Sequence, residues 1–156
     1  MYIKNCIIYS GCSIMKKVIL NKCYGGFDVS PEAYKLYAKK KGLEIYPYTL
    51  EFTNERKVYY KKADVTDVDE KGLDLFTYYA LHDYGDTVQE IDDYLRLDED
   101  SREDKTLIEV VEELGEKASG RFGKLVIVEI PDDVAEDYVI NDYDGIETLH
   151  KRVEEY

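Results

Sequence analysis

Apolar residues along this chain follow two kinds of spacing. Val18-Ile19-Leu20, between Lys17 and Lys22, is a short unbroken run, β-branched at its centre, and predicts a buried strand over 17–22. Lys124 to Ile130, reading KLVIVEI, predicts another, ended by Pro131-Asp132-Asp133. Helical spacing appears elsewhere. Ser30-Pro31-Glu32 supplies a serine cap, a proline at the first helical position and an acid in the first turn. Ala33, Leu36, Tyr37 and Lys40 follow it, Lys39 to Lys41 suit the negative end of the helix dipole, and Gly42 ends the helix. A stripe of Leu107, Val110, Val111, Leu114 and Ala118 predicts a helix from Asp104, its cap, to Ser119, with Gly120 as its left-handed stop. Ile146, Leu149 and Val153 predict a last amphipathic helix after a Tyr143-Asp144-Gly145 turn.

Weaker patterns fill the rest. Residues 43–52 read as extended, interrupted by Pro47, and 57–61 and 138–141 as strands. Residues 73–81 suit either a short helix or a strand rich in Phe and Tyr. Residues 87–91 and 94–97 are candidate short strands, and DVTDVDEKG from Asp64 is a polar connection. Strands and helices mix without strict alternation. The expected architecture is α+β: one compact domain with a mixed or antiparallel sheet and about three helices.

Length supports this, since 156 residues suffice for one core and not two. Sixteen tyrosines and no tryptophan suit half-buried strand positions, where the ring packs and the hydroxyl stays hydrated. Charge alters the picture more. The net charge is −13, but residues 1–62 hold 12 Lys/Arg against 5 Asp/Glu (+7), and residues 63–156 hold 9 against 29 (−20). A −20 stretch repels phosphate backbones, so nucleic acid is not an expected partner. The basic third can attract a small anion, and the acidic remainder a basic protein surface. No apolar run approaches the roughly 18 residues of a membrane span.

Cys6, Cys12 and Cys23 form neither a disulfide framework nor a CxxC pair, so reduced thiols and a cytoplasmic setting are expected. Met15-Lys16-Lys17 before Val18 has the form of a native start. Residues 1–14 are expected to be a leader that is not native, with the domain spanning 15–156.

Lys22-Cys23-Tyr24-Gly25-Gly26-Phe27 is the first candidate site. Backbone amides at the two glycines, Lys22 and a nearby helix N-terminus are the parts of an anion cradle; a tight corner with Cys23 packed as a small apolar residue uses the same residues. The loop is neither a Walker A motif nor a dinucleotide fingerprint, and no cofactor is expected. Catalysis by Cys23 requires a histidine, and only His82 and His150 exist. Arg102, in the run Arg102-Glu103-Asp104, either pairs with neighbouring acids or projects toward a phosphate. Asp67 to Gly72 mimics part of a calcium loop, but Lys71 and Tyr78 stand where ligands belong. Metal ligation has no spacing to support it. The carboxylate pairs near Asp92 and Asp98 read as solvated turns.

VILNKCYGGF with its capped helix, then RED…LIEVVEELGEKASGRFGKLVIVEIPDDV and YDGIETL, resemble a family of small acidic proteins of tailed bacteriophages. The resemblance covers most of Met15 to His150 and is firmest at the two ends. It implies an accessory protein of the host cytoplasm that blocks host defence or redirects host metabolism. Three mechanisms suit that role. The expected one is a sponge, often a homo-oligomer, that sequesters a small anionic, nucleotide-type ligand at Lys22, Cys23, Tyr24, Gly25, Gly26, Phe27 and Arg102. Another is an acidic inhibitor covering a basic surface of a host protein. The third is an enzyme, for which no catalytic constellation is found.

Overall fold

A computed structural model describes residues 15–63, 77–135 and 137–152. The two unbroken apolar runs pair with each other. β1 (Lys16–Asn21) and β7 (Leu125–Ile130) form an antiparallel ladder with Val18 opposite Val128. Ile19, Leu125 and Ile127 face one side, against α1 (Pro31–Lys41) and α2 (Lys105–Leu114). Val18, Leu20, Val126, Val128 and Ile130 face the other, against a hairpin of β8 (Tyr138–Tyr143) and β9 (Ile146–Lys151). Burial on both faces is why these strands read as continuous apolar runs and not as alternation. Val18, Ile19 and Leu20 are fully buried, each stabilising the fold by about 1.5–3 kcal/mol.

Both helices start as expected. Ser30 Oγ accepts from Ala33 N–H at 3.1 Å, Pro31 holds the first position, and Gly42 takes φ 67° at the C-terminus. Asp104 accepts from Thr106 and Leu107 N–H, and its other oxygen accepts from the Tyr37 hydroxyl at 2.8 Å, so the cap of α2 also ties down α1. The stop of α2 differs from expectation. Its α-helical part ends at Leu114, Gly115 takes the positive φ of 59°, and a 3-10 turn runs on to Ala118. Gly120 is needed for close approach instead: a Cβ there would collide with the Asp28 carboxylate.

A second sheet has the order β5-β3-β2-β4-β6, built from Thr87–Val88, Val58–Lys62, Tyr46–Phe52, Thr77–Ala80 and Tyr94–Leu95. The strand alternative for 73–81 therefore holds over 77–80. Pro47 sits in the central strand because its nitrogen, on the same side as its carbonyl, points past the end of β3; Ala63 N–H donates to that carbonyl. Tyr46, Tyr48, Tyr60, Tyr78 and Tyr94 share one face with Ile91. On the opposite face Tyr79 stacks on Tyr34 of α1, centroids 4.3 Å apart, which joins the sheet to the helices.

The last expected helix is a strand. Asp144 and Gly145 both have positive φ (54° and 94°), the requirement of a tight two-residue hairpin turn, and β9 pairs with β8 over six positions. Glu147 and Leu149 point inward while Thr148 and His150 are exposed, a period of two. A carboxylate on the inward face disguised the strand. The remaining helical piece, α3 (Asp132–Ala135), is a single turn. Among the described residues all ladders are antiparallel, and the class is α+β with three separate sheets in place of one. Among the described residues no helix is long and apolar enough to cross a membrane. The expected leader 1–14, the polar connection and the calcium-like loop, Asp67 to Gly72, lie outside the described residues.

Candidate functional site

β1 delivers the chain into the glycine corner, and the corner is sewn to two other segments. Lys22 N–H donates to the Lys124 carbonyl at 2.8 Å, Gly25 N–H to Asp144 O at 3.2 Å, and Gly26 N–H to Phe122 O at 3.2 Å. Gly25, at φ 138°, lies so close to Phe122 that a Cβ would strike its carbonyl. The Cys23 thiol donates to the same carbonyl at 3.3 Å, and Lys22 Nζ donates to the Glu147 carbonyl at 2.6 Å. Buried Asn21 is the hub: its amide donates to Cys23 O and Gly145 O, and its side-chain oxygen accepts from Lys124 N–H. The amides expected to cradle an anion thus face internal carbonyls. A ligand here would displace two backbone hydrogen bonds, each worth about 0.5–1.5 kcal/mol net. Tyr24 stands apart, 67% exposed.

Arg102 lies beneath this corner, positioned by a 3-10 turn, Glu99–Ser101, that Asp98 caps. Its Nη2 meets Glu147 Oε2 at 2.9 Å and its Nη1 meets Oε1 at 3.3 Å. Nη1 also reaches Ile19 O, and Nε donates to Glu99 O at 2.8 Å. Four of its five N–H groups are thereby used. The side chains of Arg102 and Glu147 are 14% and 6% exposed, and the guanidinium lies 5.6 Å from the Phe27 ring centroid. Asn21 N–H completes the carboxylate at 2.8 Å. The structure therefore gathers Lys22, Phe27 and Arg102, but it gathers them around Glu147. Sequence reasoning missed Glu147 because the segment was read as a helix; the Asp-Gly turn signal before it was the available clue.

Two openings flank this knot. A cleft of about 730 Å³ runs between β7 and the C-terminal end of α2, lined by Val111, Gly115, Glu116, Ser119, Gly123, Lys124, Leu125, Val126 and Ile127, with Cys23 at its margin. On the other side, hollows of about 240 and 200 Å³ meet at Tyr34, Thr77 and Leu97. Phe27 lines the smaller; Tyr78, Tyr94 and Arg96 line the larger, with Arg96 5.9 Å from the Tyr94 ring centroid. Only the tyrosine content hinted at this aromatic site.

The charge split folds back on itself. Lys16 pairs with Glu103 at 2.7 Å, Lys17 with Glu112 at 2.7 Å, Lys40 with Glu113 at 2.5 Å and Lys62 with Asp83 at 2.6 Å. Lys16 and the Tyr138 hydroxyl hold the Glu103 carboxyl below its usual range. Burial, then Asp104, pushes Tyr37 up to about 12; burial, then Glu103, does the same to Tyr138. His82 contacts Asp93 and His150 contacts Thr148, so neither is hydrogen-bonded to Cys23. Among the described residues no three His, Cys, Asp or Glu side chains converge as a metal site.

Comparison with known proteins finds no matching family model, no matching curated protein and no matching solved structure.

Proposed function

We propose that this protein acts by binding, without catalysis, as an acidic accessory protein that covers a basic surface of a partner protein. The observation that carries this is how the charges are spent. Lys22 and Arg102 are turned onto internal oxygens, and Lys16, Lys17, Lys40 and Lys62 are paired with acids of the C-terminal part. Asp86, Glu90, Asp92, Glu99, Asp100 and Glu116 remain exposed on a chain of net charge −13. The resemblance to small phage proteins makes a host protein the expected partner. The test is capture of a partner from host lysate, followed by binding of the purified pair between about 50 and 500 mM salt, where screening lengths shorten severalfold. Affinity falling steeply with salt supports the reading. A salt-insensitive contact, or no partner at all, refutes it.

A second reading, sequestration of a nucleotide-type ligand, draws support from the joined hollows. Tyr34 and Phe27 line them with aromatic rings, and Arg96, paired with Asp98 at 3.5 Å but largely exposed, has a guanidinium for a phosphate. Calorimetry with cyclic nucleotides and ADP-ribose derivatives tests it, and absence of heat with all of them removes it.

A further inference from the structure

Among the described residues β7 is paired on one side only; its neighbour is β1, and the two form a ladder of their own. The register decides which backbone groups face outward. Lys22 and Lys124 are bonded across the ladder, so Val126 and Val128 bond toward β1, while Leu125, Ile127 and Glu129 turn their N–H and C=O groups away. The corresponding outer edge of β1 is covered. Ile19 N–H donates to Arg102 O at 2.9 Å, Ile19 O accepts from the guanidinium, and Asn21 N–H donates to Glu147. On β7, Leu125 N–H donates to Ser119 Oγ at 2.8 Å. The outward groups of Ile127 and Glu129 have no hydrogen-bond partner among the described residues.

Leu125, Val126, Ile127 and Val128 follow one another along this edge without a proline or a charge among them, and Glu129 after them is the one charge on the strand. Such an edge is a template for another strand. The cleft of about 730 Å³ follows it, with Leu125 to Ile127 on one wall and Val111, Gly115 and Glu116 on the other. We propose that this edge is a strand-addition site that takes an extended apolar segment with basic flanking residues from a partner protein. The proposal rests on the acidic-cover reading above and gives that reading a place and a mode. Charge selects the occupant. Glu116 is exposed on the cleft wall of a chain of net charge −13, and a second copy would carry the same −13; Glu109, Glu112 and Glu113 on the flanking helix are exposed but already paired with Lys40 and Lys17. A cationic strand instead gains main-chain hydrogen bonds from the edge, apolar contact from alternate side chains and attraction from the rim.

The probe is a short amidated peptide of alternating lysine and valine, compared with its glutamate–valine counterpart, each titrated into the full chain at low salt. The lysine peptide is expected to bind at least about tenfold tighter, and the amides of Ile127 and Glu129 to gain protection from hydrogen exchange. Glu129→Pro removes one outward N–H and no bond to β1, so it should weaken binding by about tenfold. Glu129→Ala keeps that N–H and should stay within about threefold. If Glu129→Pro does not fold, the exchange map of the unsubstituted chain decides. Equal binding of the two peptides, no binding, or protection elsewhere overturns the proposal. A dimer in sedimentation with these amides already protected assigns the edge to a second copy and also overturns it. A captured partner that leaves Ile127 and Glu129 exchanging freely overturns the strand-addition site while sparing the acidic-cover reading. A salt-insensitive partner that protects them does the reverse.

Discussion

Replacing Glu147 with alanine should destabilise the protein more than any surface change, and the structure says by how much. Glu147 and Arg102 are nearly excluded from water, so the relevant regime is the buried ion pair, in which removing one partner leaves an uncompensated charge and costs about 3–5 kcal/mol. Asn21 N–H loses its acceptor as well, a penalty of about 1–3 kcal/mol that overlaps with the first. For a chain of this size each kcal/mol moves Tm by roughly 2–4 °C, so a loss of roughly 6–20 °C is expected. Arg102→Met should cost a similar amount by stranding the carboxylate. The double variant Arg102→Met/Glu147→Leu strands neither charge and should be less destabilised than the sum of the singles by more than about 2 kcal/mol. Urea unfolding of the four proteins, read from midpoints at constant m, measures this coupling. Additive costs, with coupling under about 0.5 kcal/mol, would show the pair to be solvated and remove it as the clasp of the corner.

Other perturbations test the remaining contacts. Gly25→Ala should destabilise by about 1–3 kcal/mol in thermal melts, because its Cβ meets the Phe122 carbonyl at positive φ. Gly26→Ala meets nothing and should stay within about 1 kcal/mol. The depressed Glu103 carboxyl contributes stability that is present above the ordinary carboxylate range and lost as pH falls through its folded value. The Tm difference between Glu103→Gln and the parent should therefore be fully present at neutral pH and vanish in acid. Tyr37 and Tyr138, both raised to about 12, contribute stability that is complete below about pH 10 and lost as pH rises from there toward 12. Ultraviolet titration should show them ionising last, and Tyr37→Phe should blunt the alkaline loss; ionisation near pH 10 would contradict the Asp104 contact.

The amino-acid sequence by itself determined the elements whose signals are local. Ser30-Pro31, Asp104 and Gly42 mark helix ends because a cap satisfies backbone groups within three or four residues of itself. The runs VIL and KLVIV mark β1 and β7 because burial on both faces leaves no polar position to interrupt them. Tertiary structure decided the rest. Only the folded chain shows that Lys22 and Arg102 serve Glu147, since these partners lie 125 and 45 residues apart in sequence. Only it shows that the Gly25 and Gly26 amides are answered by Asp144 and Phe122. Ile146, Leu149 and Val153 fit a helical face on paper, but the inward burial of Glu147 beside Leu149 holds the segment in a strand. A buried charge is stable only where its counter-charge is delivered, and that delivery depends on packing between distant segments. Local spacing carries no record of it.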